Sequence, residues 1–246
     1  MAKHRAADNT PPKARASLTA FLFPIVVILY FEAVYAWFAQ TGMSVYKVLF
    51  ALAAGALALL LSRLTPLRML NFILQSAWVL ACGGWIAVQF LYGRATGKSL
   101  SMFGGALSEG FGTAFSAAAE NLPFLACILL PLLFQCTVQR GALLHRRSLA
   151  GRLLGADWLE PIGAALLAVV LSFIAVTIAF CDTQGDASPR RQMENAWMPE
   201  ASVETFGVLP EAALDFKYNV LHWQTEETVR RYVVYADGTR SELPAA

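Results

Sequence analysis

The sequence predicts an all-α polytopic membrane protein with five transmembrane helices and a small extracytoplasmic tail. The 246-residue chain is 57% hydrophobic and 15% charged, whereas soluble domains carry about 25% charged residues. Residues 162–180 contain no charged side chain, and a helix needs about 20 apolar residues to cross a ~30 Å hydrocarbon core. From residue 182 onwards the chain is polar and holds eleven acidic against six basic residues. The stretch 162–180 therefore separates a membrane part from a water-exposed tail.

The amino-terminal end predicts a leader followed by an anchor helix. Residues 1–17 contain Pro11, Pro12 and four basic residues, a composition typical of a disordered segment, here a cytoplasmic one. The first predicted span covers residues 18–38. Its apolar stretch is longer than the 7–15 residues of a signal-peptide core, so we expect it to remain in the protein as an uncleaved anchor.

Glu32 is the most informative polar residue within a predicted span. A carboxylate at membrane depth is costly unless it is paired, protonated or turned to a wet cavity, which makes Glu32 a candidate functional residue. The neighbouring Tyr30, Tyr35 and Trp37 are typical of a membrane interface, where the carboxylate could reach water directly. The sequence leaves both interpretations open.

Three further segments complete the predicted bundle before the last span. The second span covers 45–61, with Lys47 able to reach the interface from its outer end, and the third covers 70–92, where Gly83 and Gly84 predict a close helix approach. The Gly- and Ser-rich stretch 93–115 predicts an outward loop, partly embedded in the interface. The fourth span covers 121–138. Residues 139–160 alternate leucines with four arginines, which predicts a helix on the inner leaflet.

Charge in the connections predicts the orientation. The leader and the second and fourth connections carry ten Lys and Arg residues, whereas the first connection, counted with Lys47, and the third carry three. Basic connections stay in the cytoplasm, so the amino terminus is predicted inside and the carboxyl terminus outside the plasma membrane. Topology accounts for these basic residues without nucleic-acid binding.

The cysteines and the tail carry weaker patterns. The four cysteines lie within or at the edges of apolar segments, which predicts buried thiols rather than a disulfide framework or a zinc site. In the tail, 182–200 predicts a linker, and 201–223 predicts a juxtamembrane helix interrupted by Pro210. Residues 232–235 followed by Ala236-Asp237-Gly238 predict a short hairpin.

The tail also carries a resemblance to a known family. The segments Glu204-Thr205-Phe206-Gly207-Val208-Leu209 and Leu214-Asp215-Phe216-Lys217, after a basic leader and five predicted spans, resemble the amino-terminal part of lipoteichoic acid synthase family proteins. The resemblance implies a bacterial membrane domain joined to an extracellular sulfatase-like domain that transfers glycerol phosphate from phosphatidylglycerol. That domain uses a threonine nucleophile and a divalent metal. None of its motifs occurs here, so no catalytic or metal-binding residue is assigned in this chain.

The leading hypothesis is a membrane anchor and lipid-facing module of a phosphoglycerol-transferase-like protein, acting with a separate or missing catalytic domain. The expected partners are membrane lipids, with phosphatidylglycerol implied by the resemblance, and the divalent metal would belong to the catalytic domain. Candidate lipid-binding residues are Glu32 and the cations Lys47, Arg94 and Lys98, although interfacial charges are usually just solvated. The alternative is a self-contained five-span transporter subunit or scaffold with Glu32 facing a polar path.

Overall fold

The computed structural model describes residues 13–61, 68–103, 107–134, 159–183, 188–195, 199–221, 232–234 and 240–242. Within these ranges the chain is almost entirely helical. The membrane part contains α1 (Lys13–Phe38), α2 (Val45–Leu61), α3 (Arg68–Thr96), α4 (Leu107–Ser116), a 3-10 turn (Ala119–Asn121), α5 (Leu122–Phe134) and α6 (Leu159–Cys181). The tail contains α7 (Pro189–Asn195), α8 (Pro199–Phe206), α9 (Val208–Asn219), β1 (Tyr232–Val234) and β2 (Arg240–Glu242).

Helix α2 lies between α1 and α6 and packs most extensively against them. Small residues allow this close packing, since a Cβ on Gly55 would come within 2.5 Å of the Cα of Ile25 in α1. The face of α6 that is buried consists of alanines, among them Ala164, Ala175 and Ala179. Small side chains let helix backbones approach and gain dispersion contacts, which are the main source of helix association in lipid.

Helix α3 forms the second half of the core, against α1, α4 and α5. Phe90 of α3 stacks on Phe124 of α5 with ring centroids 3.9 Å apart, and Phe38 of α1 meets Phe124 edge-on at 5.4 Å. The close approach predicted at Gly83 is present, because a Cβ there would lie 2.9 Å from the ring of Phe31. Gly84 has nothing within 4 Å of such a Cβ.

The stretch predicted as an outward loop is largely helical, which corrects that prediction. Helix α3 continues to Thr96, and α4 covers Leu107–Ser116. A Cβ on Gly110 of α4 would overlap the side chain of Leu100, so the glycine permits the helix to pack on the preceding segment. Gly110 therefore serves close packing, whereas a Cβ on Gly97 or Gly112 would meet nothing within 4 Å.

Two described helices are long and apolar enough to cross a bilayer: residues Met69–Thr96 of α3 and Pro161–Cys181 of α6. The segments Ser108–Ser116 and Ala119–Phe134 together would make a third, but they meet at a 57° bend. The apolar parts of α1 and α2, Leu22–Phe38 and Val45–Leu61, are shorter. A polytopic membrane protein is thus supported with two or three candidate spans among the described residues, and the five-span count stays a prediction.

The tail is more ordered than a linker. Helix α7 and the first two residues of α8 lie within 182–200, the stretch predicted to be a linker, and α9 follows α8. The break in the juxtamembrane helix falls at Gly207, whose φ is 101°, and not at Pro210. Proline fits the first turn of a helix, where its missing N–H has no intrahelical acceptor to reach, so Pro210 lies within the first turn of α9 instead of interrupting it. Strands β1 and β2 pair antiparallel, with Val233 opposite Ser241.

Several other predictions are corrected in part, or concern segments outside the described residues. Helix α1 begins at Lys13, so five residues assigned to the disordered leader are helical, as the helix-forming Lys, Ala and Arg side chains there allow. Cys82 is buried as predicted, Cys127 is half-buried, and Cys181 is exposed at the end of α6, which corrects its assignment as a buried thiol. The inner-leaflet helix, Cys136, the end of the fourth span and the hairpin turn lie outside the described residues.

Candidate functional site at the docking end of the bundle

One end of the helix bundle carries the tail. At this docking end, defined as the end where α1, α3 and α6 finish and α2 begins, helices α8 and α9 contact α2 and α3. The polar side chains that hold the tail come from segments far apart in the sequence. They form the candidate site described below.

Glu32 holds the first turn of α9. Its side chain is 1% exposed, and its two carboxylate oxygens accept hydrogen bonds from the backbone N–H groups of Val208 at 3.4 Å and Leu209 at 3.3 Å. The first N–H groups of a helix have no intrahelical acceptor and carry a partial positive charge, so a carboxylate is a favourable partner. The interpretation that Glu32 reaches water directly is therefore wrong, because its partner is the tail.

Gly207 makes this contact possible. Its φ of 101° lies in the left-handed region that side-chain-bearing residues rarely adopt. A Cβ at this position would also lie 2.8 Å from Oε2 of Glu32. Glycine satisfies both demands, since it bends the chain between α8 and α9 and leaves room for the carboxylate above the helix end.

Lys47 is committed to the protein and does not face lipid. The residue is 1% exposed, and its ammonium donates hydrogen bonds to the hydroxyl of Thr41 at 3.1 Å and the carbonyl of Gly42 at 2.8 Å. It also interacts electrostatically with Glu32 and Glu204. Lys47 was predicted to reach the interface and to attract a lipid phosphate. In the structure its side chain does not reach outwards, and its charge is used within the protein.

The start of α2 receives the end of α8. The hydroxyl of Ser44 accepts a hydrogen bond from the N–H of Lys47 at 3.1 Å and donates one to the carbonyl of Thr205 at 2.5 Å. Beside it, the fully buried ring of Phe206 lies edge-on to Tyr46 at 5.6 Å and to Phe50 at 6.2 Å. Ser44 thus caps one helix and binds another, while Phe206 supplies the apolar anchor.

Two acidic residues of the tail bind the segment that follows α3. Asp215 accepts hydrogen bonds from the hydroxyl of Ser101 at 2.7 Å and the N–H of Phe103 at 2.9 Å, and Glu200 accepts one from the N–H of Ser99 at 3.2 Å. The same segment is held from the other side by the buried Gln89, which bonds both the N–H and the carbonyl of Leu100. The loop is therefore fixed between α3 and the tail.

Glu211 is a further tail carboxyl at this end, and like Asp215 it is buried. It is 3% exposed, and its Oε2 has no hydrogen-bond partner among the described residues. Burial, and then the carboxylates of Asp215 and Glu200, raise the pKa of Glu211 to about 8 from an ordinary 4.5. The neutral form is thus favoured near neutral pH, because an ionised carboxylate without a donor is expensive to bury.

The remaining two candidate cations, Arg94 and Lys98, are exposed near the end of α3. Arg94 lines a cavity of about 330 Å³ together with residues of the bend between α4 and α5. The structure brings Glu32 and Lys47 together but keeps these two cations away from that pair. Sequence reasoning missed the roles of Glu200, Glu211 and Asp215, although Asp215 stands in the Leu-Asp-Phe-Lys segment that drew attention.

The polar contacts at the docking end bind the tail to the helix bundle. Among the described residues, no group of three or more His, Cys, Asp and Glu side chains is placed to hold a metal ion. His222, the only histidine of the tail, lies outside them. Searches against family models, curated proteins and solved structures return no match for this chain.

Proposed function

We propose that the chain is a non-catalytic membrane anchor module that holds its outer tail in a fixed position on the helix bundle, as part of a lipoteichoic acid synthase-like phosphoglycerol transferase. The observation that carries the proposal is the buried contact between Glu32 and the first turn of α9. A flexible tether would need no such contact. A tail bound through a buried carboxylate, a left-handed glycine and an aromatic anchor is suited to positioning whatever it is joined to.

The proposal places five crossings at 18–38, 45–61, 70–92, 121–138 and 162–180, with the amino terminus in the cytoplasm. The described contacts support the alternation of these crossings. Glu32 near the end of α1, Ser44 before α2 and Ser99 after α3 all bind the tail, and Asp182 after α6 accepts a hydrogen bond from Tyr46. The ends of α1, α3 and α6 and the start of α2 therefore lie at one side of the bundle. This is the arrangement expected when successive helices cross the membrane in alternating directions and the number of crossings is odd.

The proposed chemistry is binding, and any transfer reaction belongs to a separate sulfatase-like domain with its own divalent metal. Of the four candidate lipid-binding residues, Arg94 and Lys98 are the two whose side chains are exposed and free to face a lipid such as phosphatidylglycerol. Glu32 and Lys47 act inside the anchor. A transporter subunit would use Glu32 on a polar path, and a carboxylate fully buried against two amides gives that alternative less support.

Labelling in intact bacterial cells tests the orientation. Single cysteines replace the exposed Lys98 and Glu204 in a background in which the four native cysteines are changed to serine, so that each protein carries one thiol. We expect both to react with a membrane-impermeant maleimide, whereas a cysteine at Ser148, in the basic fourth connection, reacts only after lysis. Labelling at Ser148 in intact cells, or its absence at both outer sites, contradicts the proposed topology.

Reconstitution tests the division of labour. The purified chain in phosphatidylglycerol vesicles with a divalent metal should release no diacylglycerol. Adding a separate sulfatase-like chain should produce turnover, and it should do so less with the Glu32→Ala protein, whose tail is loosened. Turnover by the chain alone, abolished by His222→Ala, contradicts the anchor proposal. An added chain that works equally well with both anchors contradicts a positioning role for the tail.

A further inference from the structure

The cavity at the bend between α4 and α5 is a second site, separate from the docked tail. It measures about 330 Å³ and lies between the last turn of α3, which contributes Arg94 and Ala95, and the bend, which contributes Ser116, Ala117, Glu120 and Asn121. The helical segments meet there at 57°. Its volume is at the lower end of the ~300–1,000 Å³ typical of small-ligand clefts.

Opposite charges line this cavity without neutralising one another. Neither Arg94 nor Glu120 has an ion-pair partner within 4.0 Å in the part of the chain that the structure describes. Asn121 donates its amide N–H to the carbonyl of Ala117 at 2.9 Å, which leaves its side-chain oxygen as an acceptor. The cavity thus offers one cation, one carboxylate and one neutral acceptor.

This combination selects among ligand classes. A guanidinium binds phosphate oxygens through paired N–H donors, and a carboxylate beside it binds an ammonium group. A ligand with only a negative charge would be attracted by Arg94 and repelled by Glu120, so the two effects would oppose each other. A ligand that carries both a phosphate and an ammonium group satisfies both side chains.

The surroundings of the cavity indicate where such a ligand comes from. Phe115 and Leu122, which directly flank the lining residues in the sequence, are 81% and 62% exposed. Exposed aromatic and aliphatic side chains beside a polar cavity match the boundary between lipid headgroups and acyl chains. We propose that this cavity binds a zwitterionic phosphate–ammonium group, with the phosphate on Arg94 and the ammonium on Glu120, as presented by an aminophospholipid headgroup. The membrane setting of this inference rests on the proposed function, whereas its chemistry does not.

Lipid competition tests the proposal on the full chain. The protein is purified in detergent and mixed with equal amounts of dioleoyl phosphatidylethanolamine and dioleoyl phosphatidylglycerol, and native mass spectrometry measures the ratio of bound lipids. We expect the ethanolamine lipid to be favoured by about two- to fivefold, the range of a partly exposed ion pair. A ratio of one, or a preference for the glycerol lipid, overturns the proposal.

Substitutions identify the two charges. Glu120→Gln should invert the preference, since it removes attraction for ammonium and repulsion of the anionic lipid. Arg94→Gln should lower binding of both lipids, and Arg94→Lys should restore part of it. Glu109→Gln is the matched control, because Glu109 is an exposed carboxyl of α4 that does not line the cavity. An unchanged ratio in Glu120→Gln, or an equal change in Glu109→Gln, overturns the assignment.

Two further measurements are needed. One distinguishes a lipid headgroup from a soluble ligand, and the other distinguishes failure of this inference from failure of the anchor proposal. Free phosphoethanolamine that displaces the lipid at comparable concentration supports the zwitterion site but assigns it to a soluble ligand, whereas failure to displace supports the lipid. Hydrogen exchange at Val208 and Leu209 reports tail docking in the same proteins. Lost lipid selectivity with unchanged exchange overturns only this inference, and freely exchanging amides in the wild-type protein with intact selectivity overturn only the anchor proposal.

Discussion

The carboxylate of Glu32 and the backbone N–H of Leu209 lie 3.3 Å apart although 177 residues separate them in the chain. This contact joins α1 of the bundle to α9 of the tail. It gives a buried acidic residue a partner that is neither a cation nor water. The stability of the docked tail should therefore depend on residues of α1 as much as on residues of the tail.

Replacing Glu32 should loosen α9. In Glu32→Ala the N–H groups of Val208 and Leu209 lose their acceptor, and hydrogen bonds to a charged group are typically worth about 1.5–3 kcal/mol. We expect hydrogen exchange of these amides in nanodiscs to rise roughly 10- to 150-fold, the same energy converted at 1.4 kcal/mol per factor of ten. Glu109→Gln, on an exposed carboxyl of α4, is the control and should leave exchange unchanged. Equal exchange in both variants would contradict the role given to Glu32.

Gly207→Ala should destabilise the docked tail through the backbone. An L-residue held at a φ of 101° is strained, at a cost of about 1–2 kcal/mol, and the new methyl would collide with Glu32. We expect a lower midpoint of thermal unfolding and faster exchange in α9. Gly42→Ala is the matched control, because nothing lies within 4 Å of a Cβ at that glycine. A Gly207→Ala protein as stable as the control would sink this argument.

Docking of the tail should weaken as pH rises through about 8. The pKa of Glu211 is raised to about 8 in the folded protein, so the folded state binds the proton more tightly than the unfolded state. The stability contributed by this group is full below the ordinary carboxyl pKa and is lost as pH rises through the folded value. Exchange of α9 amides, corrected for the intrinsic effect of pH, should increase between pH 6 and 9 in the wild type. Glu211→Gln should remove this dependence, and an identical pH profile would refute it.

Asp215→Ala should free the segment after α3. The alanine removes the carboxylate that accepts hydrogen bonds from the Ser101 hydroxyl, the N–H of Phe103 and the side-chain amide of Asn219, so the Phe103 N–H loses its acceptor. We expect about a tenfold rise in exchange at Phe103, the size of one hydrogen bond to a charged group. Glu204→Gln, an exposed carboxyl of α8, should have no effect. Unchanged protection at Phe103 would show that the contact adds nothing to loop order.

The sequence could indicate which type of residue would be a functional candidate, but it could not indicate which other residues that candidate contacts. A carboxylate within an apolar stretch is costly, so Glu32 stands out from composition alone. Lys47 illustrates the opposite case, since the same local pattern fits a lipid-facing cation and the buried side chain that is observed. Glu211 and Asp215 have the local pattern of ordinary solvated charges, because burial of a charge depends on what packs over it, and both are buried in the structure.

The sequence by itself determined the long apolar helices of the membrane part, though not α4, because apolar runs such as 45–61 and 162–180 are local properties and a backbone in lipid must satisfy its own hydrogen bonds. The polar and acidic composition of the tail also indicated that it lies in a different environment from the apolar helices. Only the tertiary structure decided that Glu32 binds α9, that Gly207 and not Pro210 divides the tail helices, and that Arg94 and Glu120 share a cavity. Each of these depends on segments distant in the chain meeting at one end of the bundle, and local periodicity carries no information about such meetings.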